Sequence, residues 1–147
     1  RGTEGAGLRR SGGRAHHRVI HFVGRNPGMT VAELLSILQI TKQSLARVLR
    51  DAGYRTALIG KWHLGYPPAF GPLRSGYEEF FGPMSGGVDY FTHNDSRGMH
   101  DLWAGEEEHH EIGYLTDLIS HRAVQWLQRV TGASDAPFFL SLLGPAP

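Results

Sequence analysis

Lys61 and His63 stand two residues apart just past a short apolar run. Together they offer a permanent cation beside an imidazole whose charge changes near neutral pH, a pairing suited to the oxygens of a sulfate or phosphate ester. The run before them, Thr56-Ala57-Leu58-Ile59, lies between Gly53 and Gly60 and reads as a strand buried on both faces of a parallel sheet. Ligands of open α/β sheets collect beyond the carboxyl ends of such strands. Side chains alternate faces in extended chain, so Lys61 and His63 are expected on one side and Trp62, packed away, on the other. On spacing alone, a surface lysine beside a hydrogen-bonded histidine is the more ordinary reading.

Other polar clusters carry less chemistry. The run Glu106-Glu107-Glu108-His109-His110-Glu111 contains metal-ligand types, but consecutive side chains fan out and a solvated acidic turn is expected. His17 and His21 are four apart with no accompanying carboxylate of a zinc-enzyme pattern. Asp117 and His121 share that spacing on a helix predicted over Thr116 to Val130 and are read as a local surface pair. Trp103 and Trp126 are read as core residues.

The elements around the lysine and histidine fall into two kinds. Before residue 51 the patterning is helical. His17 to Val23 reads as one helix, stopped by the turn residues Gly24-Arg25-Asn26-Pro27-Gly28. Thr30-Val31-Ala32-Glu33 is a capping box opening a helix through Leu34, Leu35 and Leu38. Thr41 caps a further helix with Leu45, Val48, Leu49 and Ala52 on one stripe, closed by Gly53. Three short helices with a tight last link predict a helix-turn-helix. Residues 1–13 form a basic Gly/Arg tail expected to be disordered.

Charge divides the chain at the same place. Residues 1–50 carry nine Lys/Arg against Glu4 and Glu33, a net +7, whereas residues 51–147 carry six against twelve acids, a net −6. The whole-chain value of +1 conceals an asymmetry typical of a nucleic-acid-directed half, although part of it resides in the tail. No cysteine is present, which excludes disulfides and thiolate metal sites. No apolar run reaches membrane-spanning length and no signal peptide is visible, so a cytoplasmic location without membrane contact is the default expectation.

The run Gly53-Tyr54-Arg55-Thr56-Ala57-Leu58-Ile59-Gly60-Lys61-Trp62-His63-Leu64-Gly65 resembles a signature of the sulfatase family, the arylsulfatase-like branch of the alkaline phosphatase superfamily. The likeness continues in order through Pro72 to His93, through His100 to Gln128 with its Gly-Tyr-Leu-Thr-Asp segment, and through Pro137 to Pro147. It implies that Lys61 holds sulfate oxygens and that His63 hydrogen-bonds the nucleophile. The family attacks with a formylglycine made from a Cys/Ser-x-Pro-x-Arg pattern beside a calcium held by oxygen ligands. That pattern is nowhere in this sequence, and the calcium-binding aspartates have no counterpart, so the expected chain retains neither nucleophile nor metal. Two electrostatic helpers alone are not expected to turn over a sulfate ester.

Arg14 to Arg50 resembles the central part of MarR-type transcriptional regulators. That likeness implies that Lys42, Gln43, Ser44 and Arg47 lie on a recognition helix and contact DNA bases or phosphates, while the plainer reading makes them the solvated face of an amphipathic helix. The regulator's wing and dimerisation helices are missing, so only weak, salt-dependent DNA binding is expected. The fold class is therefore α/β, a fragment of a sulfatase-type α/β sandwich over 51–147 with two credible strands, preceded by a short all-α helix-turn-helix over 14–50. The shared stripe at Leu45, Val48 and Leu49 can press on preceding helices or on the sheet but not fully on both. Three readings follow: a sulfatase-lineage protein inactive alone, a DNA-binding module, or a nonfunctional hybrid product.

Overall fold

A computed structural model describes Glu33 and residues 42–144 of the chain. The basic tail, the stretch from His17 to Val23, the Thr30 capping box apart from Glu33, the Thr41 cap and the final Pro145-Ala146-Pro147 lie outside the described residues. Glu33 is helical and exposed.

The first described helix, α1 (Lys42–Asp51), buries Leu45, Ala46 and Leu49. It ends at Gly53, whose φ of +89° closes the last turn as Gly53 N–H donates to Arg50 O and Tyr54 N–H to Leu49 O. Strand β1 (Arg55–Gly60) follows at once. A 3-10 turn (Pro72–Ser75) leads into β2 (Glu79–Gly82), then come β3 (Trp103–Ala104), β4 (Glu107–Glu108), helix α2 (Leu115–Ala133) and β5 (Phe138–Leu143).

Five strands form one sheet in the order β4-β3-β2-β1-β5. Central β1 pairs in parallel with β2, Leu58 opposite Phe80, and with β5, Leu58 opposite Ser141. β2–β3 and β3–β4 are antiparallel. The period of two expected of β1 is visible in its packing. Ala57 and Ile59 face Phe81 and the α2 residues Leu115, Ile119, Ala123 and Trp126, while Leu58 joins Ala46, Trp62, Tyr77, Phe80 and Met84 on the other face. A two-faced apolar run of this kind is the sequence mark of a covered parallel strand.

Three sequence expectations are corrected. Two strands were expected and five are present, because β2 spans only Glu79–Gly82 and β3 and β4 two residues each, too short for a period to register. The acidic run is not simply a solvated turn: Gly105-Glu106 turns a β3–β4 hairpin, and His109 and Glu111 then meet Arg122 on α2. Asp117 and His121 are both exposed and no ion pair joins them among the described residues, since Asp117 lies in the first turn of α2, where a carboxylate interacts with the helix N-terminus instead.

Candidate functional site

The segment after β1 is threaded between two neighbours at their carboxyl ends. Lys61 N–H donates to Leu143 O of β5, Trp62 N–H to Pro83 O and His63 N–H to Met84 O, each at 3.0 Å. The route requires close backbone approach. Gly60 (φ +120°) has no room for a Cβ against the Leu143 carbonyl, and Gly82 (φ +148°) has none against the Gly60 carbonyl. These glycines serve a crossing of three strand ends, a use that follows from the missing side chain.

Trp62 is 5% exposed, its indole N–H donates to Phe70 O at 2.8 Å, and its ring meets Tyr77 edge-on at 6.3 Å. Burying Trp62 with its donor satisfied fixes the peptide between Lys61 and His63. His63 itself adopts φ +59°, so simple extended alternation stops there. Its imidazole lies against Gly86, where an added Cβ would stand 2.6 Å from Nε2. Lys61 is half-buried and His63 exposed, and among the described residues neither side chain makes a hydrogen bond or ion pair. Both residues leave the backbone just past the carboxyl ends of β1, β2 and β5, the edge at which ligands of open α/β sheets collect.

The bed beneath His63 rests on a residue that spacing did not single out. Asp101 is 2% exposed, and its carboxylate accepts Met84 N–H at 3.2 Å, Ser85 N–H at 2.8 Å and the Trp103 indole N–H at 3.0 Å. The Asp-x-Trp spacing of Asp101 and Trp103 is the one signal that could have found it. Beside His63 a groove of about 380 Å³ is lined by Leu58, Trp62, Leu64, Tyr77, Phe139 and Leu142.

The residues expected to touch DNA lie on α1. Lys42 and Gln43 begin the helix, with side chains outside the described residues. Ser44 is exposed. Arg47 is exposed too, but its guanidinium donates to Arg74 O at 2.8 Å and its backbone packs against Gly76. One face of this helix thus leans on the 3-10 turn.

Elsewhere, imidazoles gather without forming a metal cage. His100 stacks on His110 with centroids 4.0 Å apart, and His100 Nε2 is 2.8 Å from His109 O. The His109 hydrogen bond holds the Glu111 carboxyl below its ordinary value, and Arg122 adds to this through a hydrogen bond and its charge, against the opposing effect of burial. Among the described residues no three His, Asp or Glu side chains converge as a metal site. No described helix is long and apolar enough to cross a membrane.

The family profile described as Sulfatase matches residues 16–146. The N-acetylglucosamine-6-O-sulfatase of Bacteroides thetaiotaomicron is 32% identical over 88 residues, covering 59% of this chain and 14% of that protein. The crystal structure of Ps i-CgsB in complex with k-i-k-neocarrahexaose superposes with a TM-score of 0.62 at 28% identity, over 70% of this chain and 26% of the other. In the amino-terminal region, the HTH-type transcriptional regulator PetP of Rhodobacter capsulatus is 56% identical over 52 residues, 33% of this chain and 31% of the regulator. The chain therefore spans less than a third of each of these relatives.

Proposed function

The chain belongs to the sulfatase family, and from that premise we propose that residues 51–147 carry the anion-gripping part of a sulfate-ester site. Lys61 holds sulfate oxygens and His63 supplies a hydrogen bond to the same group. The observation that carries the reading is that Lys61 and His63 follow the meeting point of the β1, β2 and β5 ends with no side-chain hydrogen bond or ion pair among the described residues. The Cys/Ser-x-Pro-x-Arg pattern of the family's nucleophile does not occur in this sequence, and on our reading the chain alone grips sulfate without cleaving its ester. The named activity of the Bacteroides relative and the oligosaccharide bound by Ps i-CgsB support an ester carried on a sugar.

The experiment is titration of the chain with inorganic sulfate, followed through the His63 imidazole resonances, together with an arylsulfate hydrolysis assay. Saturable sulfate binding that is lost in Lys61→Ala, with no turnover, supports the reading. Absence of binding overturns it, and turnover abolished by Lys61→Ala overturns the claim of inactivity.

The regulator likeness and the +7 charge of residues 1–50 favour a second reading for the amino-terminal part, a partial MarR-type DNA-binding module over 14–50 using Lys42, Gln43, Ser44 and Arg47. The sulfatase match begins at residue 16 and runs through this segment, so the boundary at 50 belongs to the reading and not to the match. Weak binding to duplex DNA that falls steeply with salt is expected; nanomolar, salt-insensitive binding would refute it.

A further inference from the structure

We propose that Asp101 is the positioning residue of the Lys61–His63 site, holding His63 in place through the loop from Pro83 to Gly87 without itself touching the anion. The inference rests on the reading of that pair as a sulfate grip and extends it to a third, buried residue. Three N–H groups converge on one carboxylate, and carboxylate oxygens are the acceptor-only group that can take all three. Two of those donors are the consecutive backbone amides of Met84 and Ser85, so the charge fixes peptide planes and not merely side chains.

Those peptide planes are the ones that hold His63. Met84 uses its N–H on Asp101 and its carbonyl on His63 N–H, so one residue joins the carboxylate to the histidine backbone. Two residues further on, Gly86 forms the surface against the imidazole. The chain of contacts from Asp101 to His63 is therefore Asp101 carboxylate, Met84 and Ser85 amides, then Met84 carbonyl and Gly86 Cα. Asp101 is anchored in turn by its own N–H, which donates to His93 O at 2.8 Å, and by Trp103, whose ring meets Tyr66 edge-on at 6.3 Å. A buried carboxylate that served stability alone would need only satisfied oxygens. Here its bonds end in the loop on which the one imidazole of the site lies.

The test is carried out on the full chain with Asp101→Asn and Trp103→Phe. The asparagine keeps the shape but turns an amide NH2 toward backbone donors; the phenylalanine removes only the indole bond. The readouts are the His63 imidazole resonances and their pH titration without sulfate, and the dissociation constant for inorganic sulfate. Asp101→Asn is expected to shift and broaden the His63 signals and to weaken sulfate binding about tenfold, the scale of one lost charge-assisted hydrogen bond. Trp103→Phe should move the same signals in the same direction by less. If Asp101→Asn does not fold, Trp103→Phe decides alone. Unchanged His63 signals in the folded variants overturn the proposal, whatever happens to the melting temperature. Failure of the unmutated chain to bind sulfate overturns the sulfate reading instead, and the ligand-free His63 signals still judge the role of Asp101.

Discussion

The His63 imidazole and Gly86 are in contact: a methyl group at Gly86 would stand 2.6 Å from Nε2 and 2.8 Å from Cε1. Because the crowded partner is the far end of an exposed side chain, Gly86→Ala should turn the ring aside at a stability cost within about 1 kcal/mol. Sulfate affinity should fall several-fold while the thermal midpoint hardly moves. A variant that binds sulfate as before, measured by titration calorimetry, would show that ring position does not matter.

Gly60 behaves differently, since its missing side chain faces the backbone carbonyl of Leu143 and its φ is +120°. An alanine there suffers both a left-handed strain and a clash with a strand that cannot swing away, and the two together should cost about 3 kcal/mol or more. Urea denaturation of Gly60→Ala should show a much lower midpoint or no folded state. A midpoint equal to that of the unmutated chain would mean that β1 and β5 do not meet as described.

The contrast between the two glycines marks what sequence could disclose. The strand at Thr56–Ile59 was legible because both faces are covered, so an apolar run bounded by glycines has few other uses. The lysine and histidine at its end read, on spacing alone, as a surface lysine beside a hydrogen-bonded histidine, and only the sulfatase resemblance singles them out. The helix expected over Thr116 to Val130 is present as Leu115–Ala133, and its buried Leu115, Leu118, Ile119, Ala123 and Trp126 recur at three- and four-residue spacing. β2 was not, because four residues beginning with Glu79 and ending in Gly82 carry no alternation. Asp101 was harder to find for another reason: two of its three partners, Met84 and Ser85, lie seventeen and sixteen residues away and offer backbone amides, which every sequence has, so only Trp103, two residues on, could have signalled it. The bend at His63 was likewise hidden, since left-handed φ at a non-glycine residue is imposed by the tertiary hydrogen bond to Met84 O and not by local preference.

Thr56 offers a test of the opposite sheet end. It is fully buried, its hydroxyl donates to Gly76 O at 2.9 Å, and the same oxygen accepts Glu78 N–H at 3.1 Å. Thr56→Val preserves shape and removes both bonds, leaving the Gly76 carbonyl without that donor; Glu78 N–H keeps its bond to Thr56 O. A loss of about 1–3 kcal/mol is expected in chemical denaturation, with the sulfate affinity unchanged because the site lies at the other end of β1. Equal stability of the two proteins would show that the hydroxyl bonds are exchanged for water at no cost.

Glu111 links the hairpin to α2 and gives the fold a pH dependence of known sign. Its carboxylate receives His109 Nε2–H at 2.9 Å and Arg122 at 3.1 Å, and these place its folded-state titration below the ordinary 4.5. A depressed carboxyl contributes stability that is complete above the unfolded value and vanishes as pH falls through the folded one. The group is 38% exposed, so solvent screening keeps the contribution small. Unfolding free energies of the unmutated chain and Glu111→Gln should therefore differ at about pH 7 and converge as the pH falls below the ordinary 4.5, with the gap reduced by added salt. A gap that stays constant across this range would mean that Glu111 acts through shape alone, and one that widens in acid would reverse the assigned direction of its shift.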